Sequence, residues 1–186
     1  MSRLYLAAAA ANAWVLLAIL AGAFVMQFIA GDPPCPLCMM QRIAMLLAAV
    51  GCCHVLAAGH RGVLTARDIG VGAGITLLAC LLGGAISIRQ VLLHILPGDP
   101  GFGPAVLGWH TYTWAAVIFA CNLVATGLQL ASLAWFTEAP PRPLPLARPT
   151  MLAVAAMLVA NILSVVAESG FAWTLPENPV GYLLFR

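Results

Sequence analysis

Cys35 and Cys38, separated by two residues in Pro34-Cys35-Pro36-Leu37-Cys38, carry the clearest chemistry in this chain. A pair at this spacing closes a small, strained disulfide, and strained disulfides exchange readily with thiolates. Cys38 starts a predicted helix, where unpaired backbone amides favour the thiolate form. Arg42 follows one turn later on the same face. Its guanidinium keeps its charge at an interface and donates as a planar fork, which suits negative charge developing on a nearby acceptor. Three plainer readings stand beside redox exchange. A structural disulfide across so short a loop stabilises little. Zinc needs four ligands, and Cys52, Cys53 and His54 lie about 14 residues along the same span, roughly 20 Å away, so no metal is expected. Two unconnected thiols are the third.

Other residues near the pair carry weaker signals. Gln41 is an interfacial amide beside the site. Arg89, near the outer end of the third apolar run, either faces the same site or pairs with a lipid phosphate. His94 is either a proton donor or a solvated histidine at a loop edge. Cys52, Cys53, Cys80 and Cys121 lie inside apolar runs and read as packing residues. Arg42 has its own plain reading as a snorkelling interfacial arginine. Trp109, Tyr112 and Trp114 form an expected interfacial aromatic belt, and Gly70, Gly74, Gly83 and Gly84 are expected at close helix contacts.

The elements that must hold these residues follow from composition. The 186 residues are 63% hydrophobic and only 8% charged, too few charges to cover a water-soluble surface. The net charge of +2 comes from scattered arginines with no basic cluster, which argues against nucleic acid. Five continuous apolar runs are long enough to cross a bilayer as helices: Leu4–Ile29, Met39–Ala58, Ile69–Leu93, Thr111–Phe136 and Thr150–Ala167. They are not alternating, which disfavours a β-barrel. The fold class is therefore an all-α polytopic transmembrane bundle. Gly31-Asp32-Pro33-Pro34, Gly59–Gly62, Pro97–Gly101 and the proline-rich stretch Pro140–Pro149 separate the runs.

Arg3, Arg61, Arg67, Arg142 and Arg148 fall on one side of the predicted membrane, and Arg42, Arg89 and Arg186 on the other. The positive-inside rule then puts the N-terminus in the cytoplasm and the C-terminus outside. Residues 31–38 are extracytoplasmic, which is periplasmic in a bacterium with two membranes. Ala21-Gly22-Ala23 looks like a signal-peptide cleavage site, but the apolar stretch before it is longer than such peptides use, so the first span is expected to be retained.

The string Pro34-Cys35-Pro36-Leu37-Cys38-Met39-Met40-Gln41-Arg42 resembles the signature of the disulfide bond formation protein B (DsbB) family. Arg89-Gln90-Val91-Leu92-Leu93-His94, followed by a Pro/Gly loop, resembles the end of that family's third helix. The likeness covers roughly residues 10–136. It implies a four-helix domain over 1–136, with a cytoplasmic linker at 137–149 and an added fifth span and periplasmic tail at 150–186. It also implies a bacterial inner-membrane thiol:quinone oxidoreductase. Such a protein reoxidises a periplasmic thioredoxin-fold thiol oxidase (DsbA-like) and passes two electrons to ubiquinone or menaquinone. By the resemblance, Cys38 is the quinone-facing sulfur, Cys35 its exchange partner and Arg42 a contact of the quinone head group, with Gln41 and His94 near the ring. A vitamin K epoxide reductase-like enzyme also uses a membrane-edge cysteine pair, but the Gln-Arg continuation argues against it.

One departure from the family matters. Most members carry a second cysteine pair between spans three and four, where the soluble partner engages. Here the stretch His94–His110 has no cysteine. Either the incoming thiol attacks the Cys35–Cys38 disulfide directly, or another membrane subunit supplies the missing pair. The alternative function is a non-catalytic subunit of this fold that scaffolds a larger membrane complex.

Overall fold

A computed structural model of the chain describes residues 2–136, 144–170, 172, 179 and 181–185. Five long helices run through them: α1 (Ser2–Phe28), α2 (Pro36–His60), α3 (Ala66–Leu93), α4 (Thr111–Ala131) and α5 (Ala147–Ser169). At 1.5 Å per residue each exceeds the roughly 30 Å of a bilayer core, and each is apolar enough to cross it. A single turn of 3-10 helix, Ser132–Trp135, prolongs α4. The structure is thus the helical bundle the apolar runs predict. The first half of the expected linker, residues 137–143 with Arg142, lies outside the described residues, as do Glu177 and Arg186 in the tail.

α2 is the central helix. It packs on α1, α3 and α5, while α4 packs on α3. Small residues set the closest crossings. A Cβ on Gly51 of α2 would collide with the backbone of Gly72 in α3, and one on Gly83 of α3 would enter the Phe119 ring of α4. Gly83 is therefore at a helix contact, with Gly84 in ordinary van der Waals reach of Phe119. Gly70 and Gly74 are not: an added Cβ there meets nothing within 4 Å. They sit two residues either side of Gly72, about 200° around the helix, and so face away from α2.

Polar clips tie the ends of the bundle. At the end holding the α2–α3 turn, Thr65 caps α3 in a capping box with Asp68, and Arg148 Nε donates to His60 Nε2 across 2.9 Å. Tyr5 of α1 meets Ser132 at 2.7 Å and packs edge-on against Phe136. At the opposite end lie the α1–α2 connection and the α3–α4 loop of residues 94–110. That loop carries a two-stranded hairpin, β1 (Ala105–Val106) and β2 (Trp109–His110). Its turn has positive φ at both Leu107 (52°) and Gly108 (83°), the geometry of a tight two-residue hairpin.

Candidate redox site

The site is built on the start of α2. Cys35 is the N-cap, in extended conformation, and its sulfur accepts the Cys38 backbone N–H at 3.2 Å. Pro36 takes the first helical position, where its missing N–H costs nothing. The helix thus starts at Pro36 rather than at Cys38, and Cys38 sits within the first turn. The two sulfurs are 2.7 Å apart. The Cys35 thiol is pushed up from its ordinary pKa, first by its hydrogen bond with Cys38 and then by burial. Cys35 is only 5% exposed, whereas Cys38 is half-buried.

α3 supplies the next layer. Gln90, buried among apolar helices, points its amide Nε2 at both sulfurs, 3.3 Å from Cys35 and 3.5 Å from Cys38. Its Oε1 accepts from Gln41 Nε2 at 2.9 Å. The pair of amides therefore fixes the sulfurs against α3.

Arg42 lies one turn beyond Cys38 and is 8% exposed. Its Nη1 donates to Gln27 Oε1 and its Nη2 to the Ala23 carbonyl at 3.0 Å, both in α1. Its guanidinium carbon sits 5.3 Å from the centre of the Phe24 ring. A buried cation held this way presents its charge in a fixed direction, which a snorkelling arginine does not.

Cys38, Gln41 and Arg42 together line a cavity of about 440 Å³. α1 contributes Gly22, Ala23 and Met26 to its wall, α4 contributes Trp114 and Ile118, and Phe102 and Val106 of the 94–110 loop complete it. The lining is mostly apolar with a few convergent polar groups, the usual make-up of a small-molecule site. A Cβ placed on Gly22 meets nothing within 4 Å, so the missing side chain keeps this space open. Cys35 is not among the lining residues.

The other residues singled out from sequence fall elsewhere. Arg89 is exposed and does not line the cavity. Next to it in sequence, Gln90 is turned about 100° around the helix and faces the sulfurs. His94 also lies outside the lining. Its Nδ1 is 3.1 Å from Asp99 Oδ1, and its ring stacks on Tyr112, which also stacks with His110. Asp99 also accepts the Gly101 N–H at 2.8 Å, so these residues organise the loop beside the cavity. Trp114 belongs to the cavity wall, while Trp109 and Tyr112 do not. Cys121 is exposed on α4. Among the described residues no cluster of His, Cys, Asp or Glu forms a metal site. Sequence reasoning missed Gln27, Gln90, Ser164 and Glu168. The available signal was a polar residue inside an apolar run, which marks an internal partner without naming it.

Comparison with known proteins identifies the family of the chain. The model of the family described as "Disulfide bond formation protein DsbB" matches residues 3–103, which hold both cysteines, Gln41, Arg42 and Gln90. Disulfide bond formation protein B of Chromobacterium violaceum is 42% identical over 82 residues, covering 43% of this chain and 47% of the relative. The protein of that name from Chromohalobacter salexigens is 42% identical over 90 residues, covering 45% of this chain and 48% of the relative. The chain thus spans about half the length of these two relatives. Disulfide bond formation protein B 2 of Burkholderia lata is 35% identical over 161 residues, covering 67% of this chain and 92% of the relative. No solved structure matches the chain. With the family model matching more than half of its length, the chain belongs to the DsbB family of disulfide bond formation proteins.

Proposed function

We propose that this protein is a bacterial inner-membrane thiol:quinone oxidoreductase that reoxidises a periplasmic dithiol partner of DsbA type. The observation that carries the reading is the shared placement of Cys38, Gln41 and Arg42 on one apolar cavity, with Cys35 beside Cys38 but off that cavity. One sulfur is thereby set to meet an apolar electron acceptor and the other to meet a thiol. The cavity fits a quinone head group by volume, by its apolar walls and by the fixed guanidinium. Ubiquinone or menaquinone, when bound, supplies the capacity to accept two electrons and two protons.

The chain's own residues account for the remaining steps. A substrate thiolate attacks Cys35 in the disulfide state, forming a mixed disulfide and releasing Cys38 as thiolate. Gln90 and the first-turn amides of α2 stabilise that anion. Arg42 stabilises negative charge developing in the cavity next to Cys38. The partner's second thiolate then displaces Cys35 from the mixed disulfide, so the balance is one dithiol oxidised to a disulfide and one quinone reduced to quinol, with the cysteine pair returned to its disulfide. Because Cys35 is nearly buried, the incoming thiolate requires the 31–35 segment to yield, which a docked partner protein supplies.

The test is direct. Purified protein with a dithiol donor is expected to lower the quinone absorbance, and Cys38→Ala to abolish the change. An unchanged quinone signal in the wild type sinks the reading and favours a scaffolding subunit instead.

A further inference from the structure

α5 lies beyond the family-matched residues, yet it brings a carboxylate to the redox site. Glu168, in its last turn, is 1% exposed. Its Oε2 is 3.5 Å from Gln27 Nε2, and its Oε1 has no hydrogen-bond partner among the described residues. Gln27 is the acceptor that holds Arg42. One turn before Glu168, Ser164 makes a second contact with the same glutamine, accepting from Nε2 at 2.9 Å and donating to Oε1 at 3.1 Å.

This geometry exceeds what fastening one helix to another requires. Ser164, by accepting from Gln27 Nε2 and donating to its Oε1, already joins α5 to α1, and a buried carboxylate is costly without a compensating charge. The charged and titratable groups facing Glu168 are Arg42 and Cys38 from α2; α1 offers Gln27, which does not titrate. Tyr182, stacked on Phe28, also lies near enough to act on Arg42. Gln27 thus bridges the two charges: it accepts from the Arg42 guanidinium and donates to the Glu168 carboxylate, while Cys38 lies one turn before Arg42 on α2.

We propose that Glu168 is a positioning residue for the redox site: held by Gln27, its charge governs how much of the Arg42 guanidinium's field is directed at Cys38. When Glu168 is ionised it shares Arg42 with Cys38. When it takes up a proton, Arg42 acts on Cys38 and the cavity unopposed. α5 then belongs to the working site rather than being an appended span. The inference rests on the proposed function where it ties this charge to electron transfer.

The test uses reduced full-length protein in lipid nanodiscs without quinone. Iodoacetamide is added at a series of pH values from about 5 to 9, and the pH at which the Cys38 alkylation rate is half its maximum is read by peptide mass spectrometry. Glu168→Gln keeps size and hydrogen bonding but removes the charge, and is expected to move that midpoint to lower pH by about half a unit or more. Glu168→Asp is expected to restore the wild-type midpoint. Ser164→Ala loosens the clamp without changing charge and is expected to leave the midpoint near that of wild type. Equal midpoints in wild type and Glu168→Gln overturn the proposal, and so does a shift by Ser164→Ala as large as that by Glu168→Gln. Because quinone is absent, a Glu168-dependent midpoint in a protein that fails to bleach quinone sinks the proposed function and leaves the charge relationship standing.

Discussion

Gln90 Nε2 lies 3.3 Å from the sulfur of Cys35, so an amide on the third helix holds the N-cap of the second. The same side chain accepts from Gln41, and the two amides act as one unit. Replacing Gln90 by Leu leaves the Gln41 amide buried without its acceptor. A loss of about 0.6 kcal/mol, and at most about 1.7 kcal/mol, is expected for such a bond within a membrane. Gln41→Leu combined with Gln90→Leu should cost less than the sum of the single changes, because each removes the other's unmet partner. Reversible unfolding in mixed micelles measures this, and strict additivity would show the amides to be independent.

Gly22 faces open space in the cavity wall. Gly22→Phe is therefore expected to fold normally and to occupy the site. The quinone KM should rise about tenfold or more, while exchange of Cys35–Cys38 with a small dithiol stays at the wild-type rate, since a lost apolar subsite of about 1.4 kcal/mol corresponds to tenfold. Loss of both activities together would place Gly22 in the fold rather than in the cavity.

Arg42 makes two directed bonds to α1, one to a side chain and one to a carbonyl. A lysine is a point charge without the planar fork and does not reproduce that pair. Arg42→Lys should keep the fold but lower quinone-coupled turnover, and Arg42→Gln should lower it about 10²-fold, the scale seen when one donor to developing negative charge is removed. Stopped-flow quinone reduction separates the variants, and wild-type turnover in Arg42→Gln would remove Arg42 from the mechanism.

The 94–110 loop has a pH dependence with a defined sign. Asp99 is held below the usual carboxylate range, first by the Gly101 N–H and then by His94. A depressed folded-state value means that its contribution is complete above the unfolded value of about 3.9 and is lost as pH falls through the lower folded value. The loop should therefore resist proteolysis at neutral pH and become cleavable only in strong acid. Asp99→Ala should be cleavable throughout, and unchanged protection in that variant would show that the clip does not hold the loop.

Cys121 is exposed on α4, far along the helix from the loop that lacks cysteine. Cys121→Ser is expected to leave dithiol-driven quinone reduction unchanged. Lost activity would make Cys121 part of an electron relay to the Cys35–Cys38 pair.

Much of this protein was legible without coordinates. Hydropathy and proline placement are properties of single segments, and they determined five apolar helices and their breaks. The local string from Pro34 to Arg42 determined the sulfur pair, its place at a helix start and the cation one turn on, because a first turn of helix contains its own geometry. What tertiary structure alone decided was which polar side chains meet. Arg89 and Gln90 are adjacent in the chain, yet helix rotation sends one outward and the other onto the sulfurs. Gln27 and Glu168 stand 141 residues apart and become neighbours only when α5 packs beside α1. Gly72, not Gly70 or Gly74, marks the α2–α3 crossing because the phase of a nearly uniform apolar helix is set by its neighbours. In lipid, apolar faces all resemble one another, so the pattern along the chain states that a helix spans and leaves its rotation to packing.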